Sequence, residues 1–139
     1  MAAYNKFNDF VEQLGLAIHN LNTHTLKVAL ARSIDPPVAT DTILANVTQP
    51  TGTGYAPIDT QNTWAESAGT GTLTGTKCVF TAGGDWQTFR YVILYNDDPA
   101  GDPLIAWWDY ASDLQLSDGE TFSIKFNGSD TTGSILTLT

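Results

Sequence analysis

Tyr4, Phe7, Phe10, Val11, Leu14, Ile18 and Leu21 recur at steps of three and four, the spacing that gathers apolar side chains into one stripe of a helix. The pattern predicts a helix over about residues 5–19, started by an Asn5 cap and stopped where Asn20 and Asn22 tolerate a left-handed turn. Gly15 inside it costs about 1 kcal/mol relative to Ala, which points to a close approach between helix and sheet. From Thr25 the period becomes two. Leu26, Val28 and Leu30 alternate with Lys27, Ala29 and Ala31, as in a strand with one buried face. Pro36 and Pro37 end it, and further strands are expected over about 42–48, 63–68, 72–81, 88–95, 104–109, 121–126 and 134–138. Gly83-Gly84, the run Asn96 to Pro103, Asp118-Gly119 and Asn127-Gly128 supply turn chemistry between them.

About eight short strands and one helix predict a mainly β chain: a single-domain β-sandwich or small barrel, with the N-terminal helix laid over an open face or end. The domain covers 1–139, with the β part over about 25–139. Residues 51–75, rich in Thr and Gly, form either a long surface loop or an exposed hairpin, and in a compact domain such a segment is a candidate contact arm.

Composition narrows the function. Six Lys and Arg against 15 Asp and Glu leave a net charge of -9, which repels nucleic-acid phosphates and anionic membranes, so neither is an expected partner. With 15% charged residues, the chain suits neither a coiled coil nor a charge-rich disordered segment. Cys78 is the only cysteine; it cannot form an intrachain disulfide and reads as a small core hydrophobe. Lys6, Asp9 and Glu12 interrupt the apolar residues of the N-terminus, so it does not read as a signal peptide. No window approaches the roughly 18–20 apolar residues that span a bilayer.

Catalytic chemistry is sparse. The only histidines are His19, at the predicted helix end and well placed against its dipole, and His24, in the linker before the first strand. Neither has a nucleophile in view, and two histidines five apart are a weak zinc signal, so no catalytic residue, metal or cofactor is assigned. Asp97, Asp98, Asp102, Asp109, Asp113, Asp118 and Glu120 cluster in sequence, but without the ordered spacing of a calcium loop they read as solvated turns. The glycines at 52, 54, 69 and 71 precede no helix and are not a phosphate cradle. Trp64, Trp86, Trp107 and Trp108, with Tyr91, Tyr95 and Tyr110, offer a stacking platform for sugars, although most belong in a core. Trp107 and Trp108, if borne by a strand, point to opposite faces. The candidates for a contact surface are Phe7, Phe10, Tyr55, Trp64, Trp86 and Trp108.

Several stretches carry a resemblance over nearly the whole chain. They are Tyr4-Asn-Lys-Phe-Asn-Asp-Phe, His19-Asn-Leu with Thr25-Leu-Lys-Val-Ala-Leu, Pro37-Val-Ala-Thr-Asp-Thr-Ile-Leu-Ala and Phe89-Arg-Tyr-Val-Ile-Leu-Tyr-Asn-Asp. Pro103-Leu-Ile-Ala-Trp-Trp-Asp-Tyr, Leu116-Ser-Asp-Gly-Glu-Thr-Phe and Ile135-Leu-Thr-Leu-Thr continue it. In these the chain resembles the small structural virion proteins of tailed bacteriophages, of the head decoration or capsid cement type. That resemblance implies a non-enzymatic protein made in the host bacterial cytoplasm and carried on the outer surface of the capsid. It would bind the major capsid protein as a homo-oligomer, a trimer before a dimer, and clamp neighbouring subunits. A tail or fibre component and a carbohydrate-binding module for host attachment are the alternatives.

Overall fold

A computed structural model describes residues 2–139. Along the chain run β1 (Asn5–Lys6), α1 (Asn8–Gly15), β2 (Leu26–Ala31), β3 (Ile58–Asp59), β4 (Thr63–Ser67), β5 (Thr70–Thr76), β6 (Cys78–Thr81), β7 (Phe89–Asn96), β8 (Leu104–Leu114), β9 (Thr121–Ile124) and β10 (Thr132–Leu138). The chain is mainly β, with ten strands among the described residues against the eight expected. β1 and β3, which no expected strand covers, are two residues long and too short to leave a periodic signal. Among the described residues no helix is long and apolar enough to cross a membrane.

Five strands form an antiparallel sheet in the order β1-β8-β7-β2-β3. β7 lies at its centre, and Val92, Ile93, Leu94 and Tyr95 are all buried, so this sheet must be covered on both faces. On one face Val28, Leu30, Val92, Leu94 and Ala106 share a core with Leu73, Cys78, Phe80 and Phe126 of the opposite layer. On the other face Ala29, Ala31, Ile93, Tyr95 and Leu104 pack with Phe7 and Val47. The chain around Leu44 and Val47 and the N-terminal segment cover that second face, where a third sheet layer is absent among the described residues. Trp107 and Trp108 divide as strand alternation requires, Trp107 against the second core and Trp108 against the first.

The opposite layer is a pair of long strands with β4 added. β5 and β6 follow each other with only Lys77 between; β5 pairs with β10 and β6 with β9. Thr76 faces Thr132 and Cys78 faces Ile124, so two steps on one strand oppose eight on the other and the extra residues loop out. That excursion tucks Phe126 into the core and is fastened by Asp130, which lies 2.7 Å from Lys125 and 3.8 Å from Lys77. The lysines hold the Asp130 carboxyl below its ordinary range, the hydrogen bond from Lys125 contributing most. The fold is therefore a β-sandwich without a closed barrel.

Several expectations need correction. The helix spans Asn8–Gly15 instead of 5–19. Asn5 does not cap it; its backbone belongs to β1, and the position before the helix is Phe7, with no side-chain cap. Ala17 adopts φ 61, while Ile18 N–H donates to Gln13 O and Ala17 N–H to Leu14 O, which is the bonding of a Schellman stop. Because an alanine makes this left-handed turn, the apolar spacing continues past the helix it suggests. Nor does Gly15 mark a close approach, since a Cβ there would meet nothing within 4 Å. Residues 42–48 form no strand: Ile43 makes one bridge to Pro103 and a 3₁₀ turn follows at Leu44–Asn46. There Asn46 Oδ1 accepts from the N–H groups of Thr42 and Ile43, replacing a strand neighbour. The run 72–81 is two strands, divided at Lys77, whose N–H turns to Thr131 O.

Within 51–75 the exposed-hairpin alternative holds for the second half. β4 and β5 are joined by Ala68 and Gly69, both at positive φ, as a tight hairpin turn requires. The first half lies against Trp86.

The predicted stripe is split within the helix itself, where neighbouring positions point about 100° apart: Phe10 is 3% exposed and Val11 54%. Phe10→Ala is expected to cost roughly 3–5 kcal/mol, whereas Val11→Ala stays within about half a kcal/mol, measured from urea-denaturation midpoints.

Candidate functional site

β7 and β8 present Val92, Trp108 and Tyr110 toward the opposite layer, but β9 and β10 do not close over them. A groove of about 490 Å³ remains between the layers, bordered at one end by Ala2 and Tyr4. Its aromatic groups brace one another. Tyr4 meets Trp108 edge-on at 5.8 Å, Trp108 lies 6.3 Å from Phe126, and Tyr110 meets Phe122 edge-on at 5.7 Å. Tyr4 and Tyr110 remain exposed, and Ser123, Lys125, Asn127, Ser134 and Thr137 add polar groups to the rim. Apolar rings with a sparse polar border make a binding surface; nothing in this lining pairs a nucleophile with a base.

The position of Tyr110 is set by local chemistry. Arg90 donates to both oxygens of Asp109, at 2.7 and 3.0 Å, and Asp109 also accepts from Ala111 N–H at 2.7 Å. These bonds hold Asp109 below the ordinary carboxylate range. They also fix a bulge in β8 where Ala111 takes φ 70, re-aiming the strand beyond Tyr110.

Only Trp108 of the six expected contact residues lies in the groove. Phe7, Phe10 and Trp86 are buried in the two cores and have no free surface to offer. Trp86 donates its Nε1–H to Thr53 O at 2.8 Å and covers Gly52 so closely that a Cβ there would enter its ring. Half-buried Trp64 covers Gly71 in the same way. Tyr55 is held by its hydroxyl, which donates to Gln49 Oε1 at 2.6 Å and accepts from Leu30 N–H at 2.9 Å. Burial pushes that hydroxyl up to about 12. The proposed sugar platform is likewise dispersed: Tyr95 is 2% exposed, Tyr91 and Trp107 pack on the other face, and of the seven only Trp108 and Tyr110 meet in the groove. The groove residues Tyr4, Phe122, Ile124 and Phe126 escaped the sequence reading, although Phe122 and Ile124 show period two.

No protein-family model, curated protein or solved structure compared with the chain matches it.

The remaining chemistry-bearing groups serve the fold. Cys78 is buried, its thiol pushed up to about 11 by burial, with the nearby Asp59 charge adding. Among the described residues no three His, Cys, Asp or Glu side chains gather as a metal set. Of the acidic run, Asp97 pairs with Lys27 at 2.7 Å and Asp98 accepts from Thr25 N–H. Both histidines converge on Asn96, whose Nδ2 lies 3.1 Å from His19 Nδ1 and 3.0 Å from His24 Nδ1. Asn96 Oδ1 accepts from Asp98 N–H, so its amide group has two donors for two ring acceptors. This arrangement lets each ring accept at Nδ1, and it makes His24 more than a linker residue. His19 is 5% exposed, and its Nε2 has no partner among the described residues.

Burial lowers His19 from 6.5 to about 4; His24 pulls the same way and Asp9 opposes. Between those values the unfolded chain binds a proton that the folded chain does not. Stability is therefore complete above pH 6.5 and falls by on the order of 3 kcal/mol as pH approaches 4. His19→Asn places an acceptor near the Nδ1 position without titrating, and denaturation midpoints across this window should flatten in that variant.

Proposed function

We propose that the chain is a non-enzymatic structural protein of a tailed-phage virion, of the head decoration type, and that the groove at Trp108 and Tyr110 is its docking surface on the outer face of the assembled head. The observation that carries the reading is the groove: an apolar aromatic surface in a chain of net charge -9, with Lys125 the one charged side chain in its described lining. Head decoration is supported by the resemblance along the chain, and an outer position agrees with the acidity, since packaged DNA would repel it. Many modest contacts repeated over a symmetric shell would together raise the barrier to its rupture, and a homo-oligomer would multiply them further.

A second reading, a carbohydrate-binding module, draws on the polar groups beside the exposed Tyr4 and Tyr110 rings.

Purified protein mixed with expanded heads lacking it is expected to bind saturably and raise their melting temperature, while Tyr110→Ala weakens binding about tenfold or more, as loss of an interface aromatic would. Binding to free capsid subunits as tight as to heads, or saturation without a rise in melting temperature, contradicts the proposal. Retention on a glycan array by wild type and loss in Tyr110→Ala would favour the second reading.

A further inference from the structure

The two sides of the groove are built differently. β8 lines it with the alternate residues Trp108 and Tyr110, which is how a strand presents a face. β10 lines it with the consecutive residues 134–137, Ile135 and Leu136 both reaching the core across a bulge, and it does so as the edge strand of its sheet. β10 ends its sheet and, among the described residues, pairs only with β5; β9 likewise pairs only with β6. A row of backbone donors and acceptors without a sheet neighbour therefore runs beside an apolar floor.

This combination narrows what can fill the groove. The rim calls for backbone hydrogen bonds, which an extended polypeptide supplies and a sugar or a folded convex surface does not supply in register. The floor calls for an apolar side chain at every second position. Lys125, the one charged group of the described lining, is already paired with Asp130 at 2.7 Å, so the occupant needs no charge inside the groove. Outside it the net charge of -9 attracts basic residues. The register break at Ile135, where Ser134 and Leu136 flank a bulge, interrupts this row, so only a strand that accommodates the bulge can pair along its length.

We infer that the groove takes an uncharged, extended segment of a partner polypeptide, flanked by basic residues, which adds to β10 as a further strand and sets alternate apolar side chains on Trp108 and Tyr110. The inference rests on the groove being the docking surface proposed above, and names the form of the partner there.

The probe is a peptide of alternating valine and threonine with lysine at each end, followed by tryptophan fluorescence of the full chain, in three forms: unmodified, N-methylated at the valines, and N-methylated at the threonines. In a strand one of these two amide rows faces β10 and the other faces away. The unmodified peptide is expected to bind saturably, and one methylated form is expected to bind at least about tenfold more weakly, the loss of one or more backbone hydrogen bonds, while the other binds as the parent does. Tyr110→Ala should weaken all forms that bind. Equal binding of all three forms overturns strand addition, and so does failure of the unmodified peptide to bind. Competition then separates the two proposals. Heads that bind the chain without displacement by the peptide refute the strand partner and leave head docking standing. Peptide binding with the amide-row difference, but no binding to heads, upholds the strand site and refutes the head reading.

Discussion

Everything in this molecule depends on a central sheet that is apolar on both faces. β7 buries Val92 and Leu94 to one side and Ile93 and Tyr95 to the other, and β2 does the same with Val28 and Leu30 against Ala29 and Ala31. Neither face can be left to water, because burial of each of the Val, Leu and Ile side chains contributes about 1.5–3 kcal/mol. A short chain with one layer of strands to spare can cover only one face by a sheet. The second is covered by irregular chain, with Phe7 lying on Trp107 at 4.5 Å between ring centroids and Val47 beside it. The N-terminal segment is held there by backbone bonds to two different elements: Phe7 N–H donates to Ile105 O and Asn8 N–H to Ala39 O.

The same constraint accounts for the groove. Covering a sheet requires strands that extend as far as it does, and the outer layer has only β4, the β5–β6 line and the β9–β10 line. Where β8 runs on to Tyr110, no strand lies beyond β9 and β10 to meet it. The excursion between β9 and β10, residues 125–131, fills part of the gap with Phe126, and Tyr4 fills more of it. The rest is a gap in the covering layer, whose aromatic lining is what an unfinished core looks like from outside.

Much of the fold was legible in the sequence because period-two alternation records a strand with one covered face; β2, β4, β7 and β10 lie close to where that pattern puts them. The misreadings share a cause: polar side chains and turns that answer backbone needs locally leave no periodic trace. Asn46 replaces a strand neighbour for Thr42 and Ile43, and Ala17 stops a helix where glycine would be the visible signal. The site was legible only at Trp108 and Tyr110. Whether a tryptophan faces a core or a groove is decided by which strand lies opposite. Trp86 covers a glycine distant in sequence and Trp64 one across the β4–β5 hairpin, contacts that leave no periodic trace. The two cores share a single central sheet.

Native-state hydrogen exchange tests the central claim most directly, since it resolves the opening free energy of each strand. A sheet covered on both faces, facing a layer that ends early, predicts that β7 and β2 amides exchange only through global unfolding. The amides of β9 and β10 that pair with β6 and β5 should exchange through local opening at distinctly lower free energy. Equal protection of β10 and β7, across the denaturant series, would mean that the outer layer is as firmly seated as the central sheet and would contradict the account.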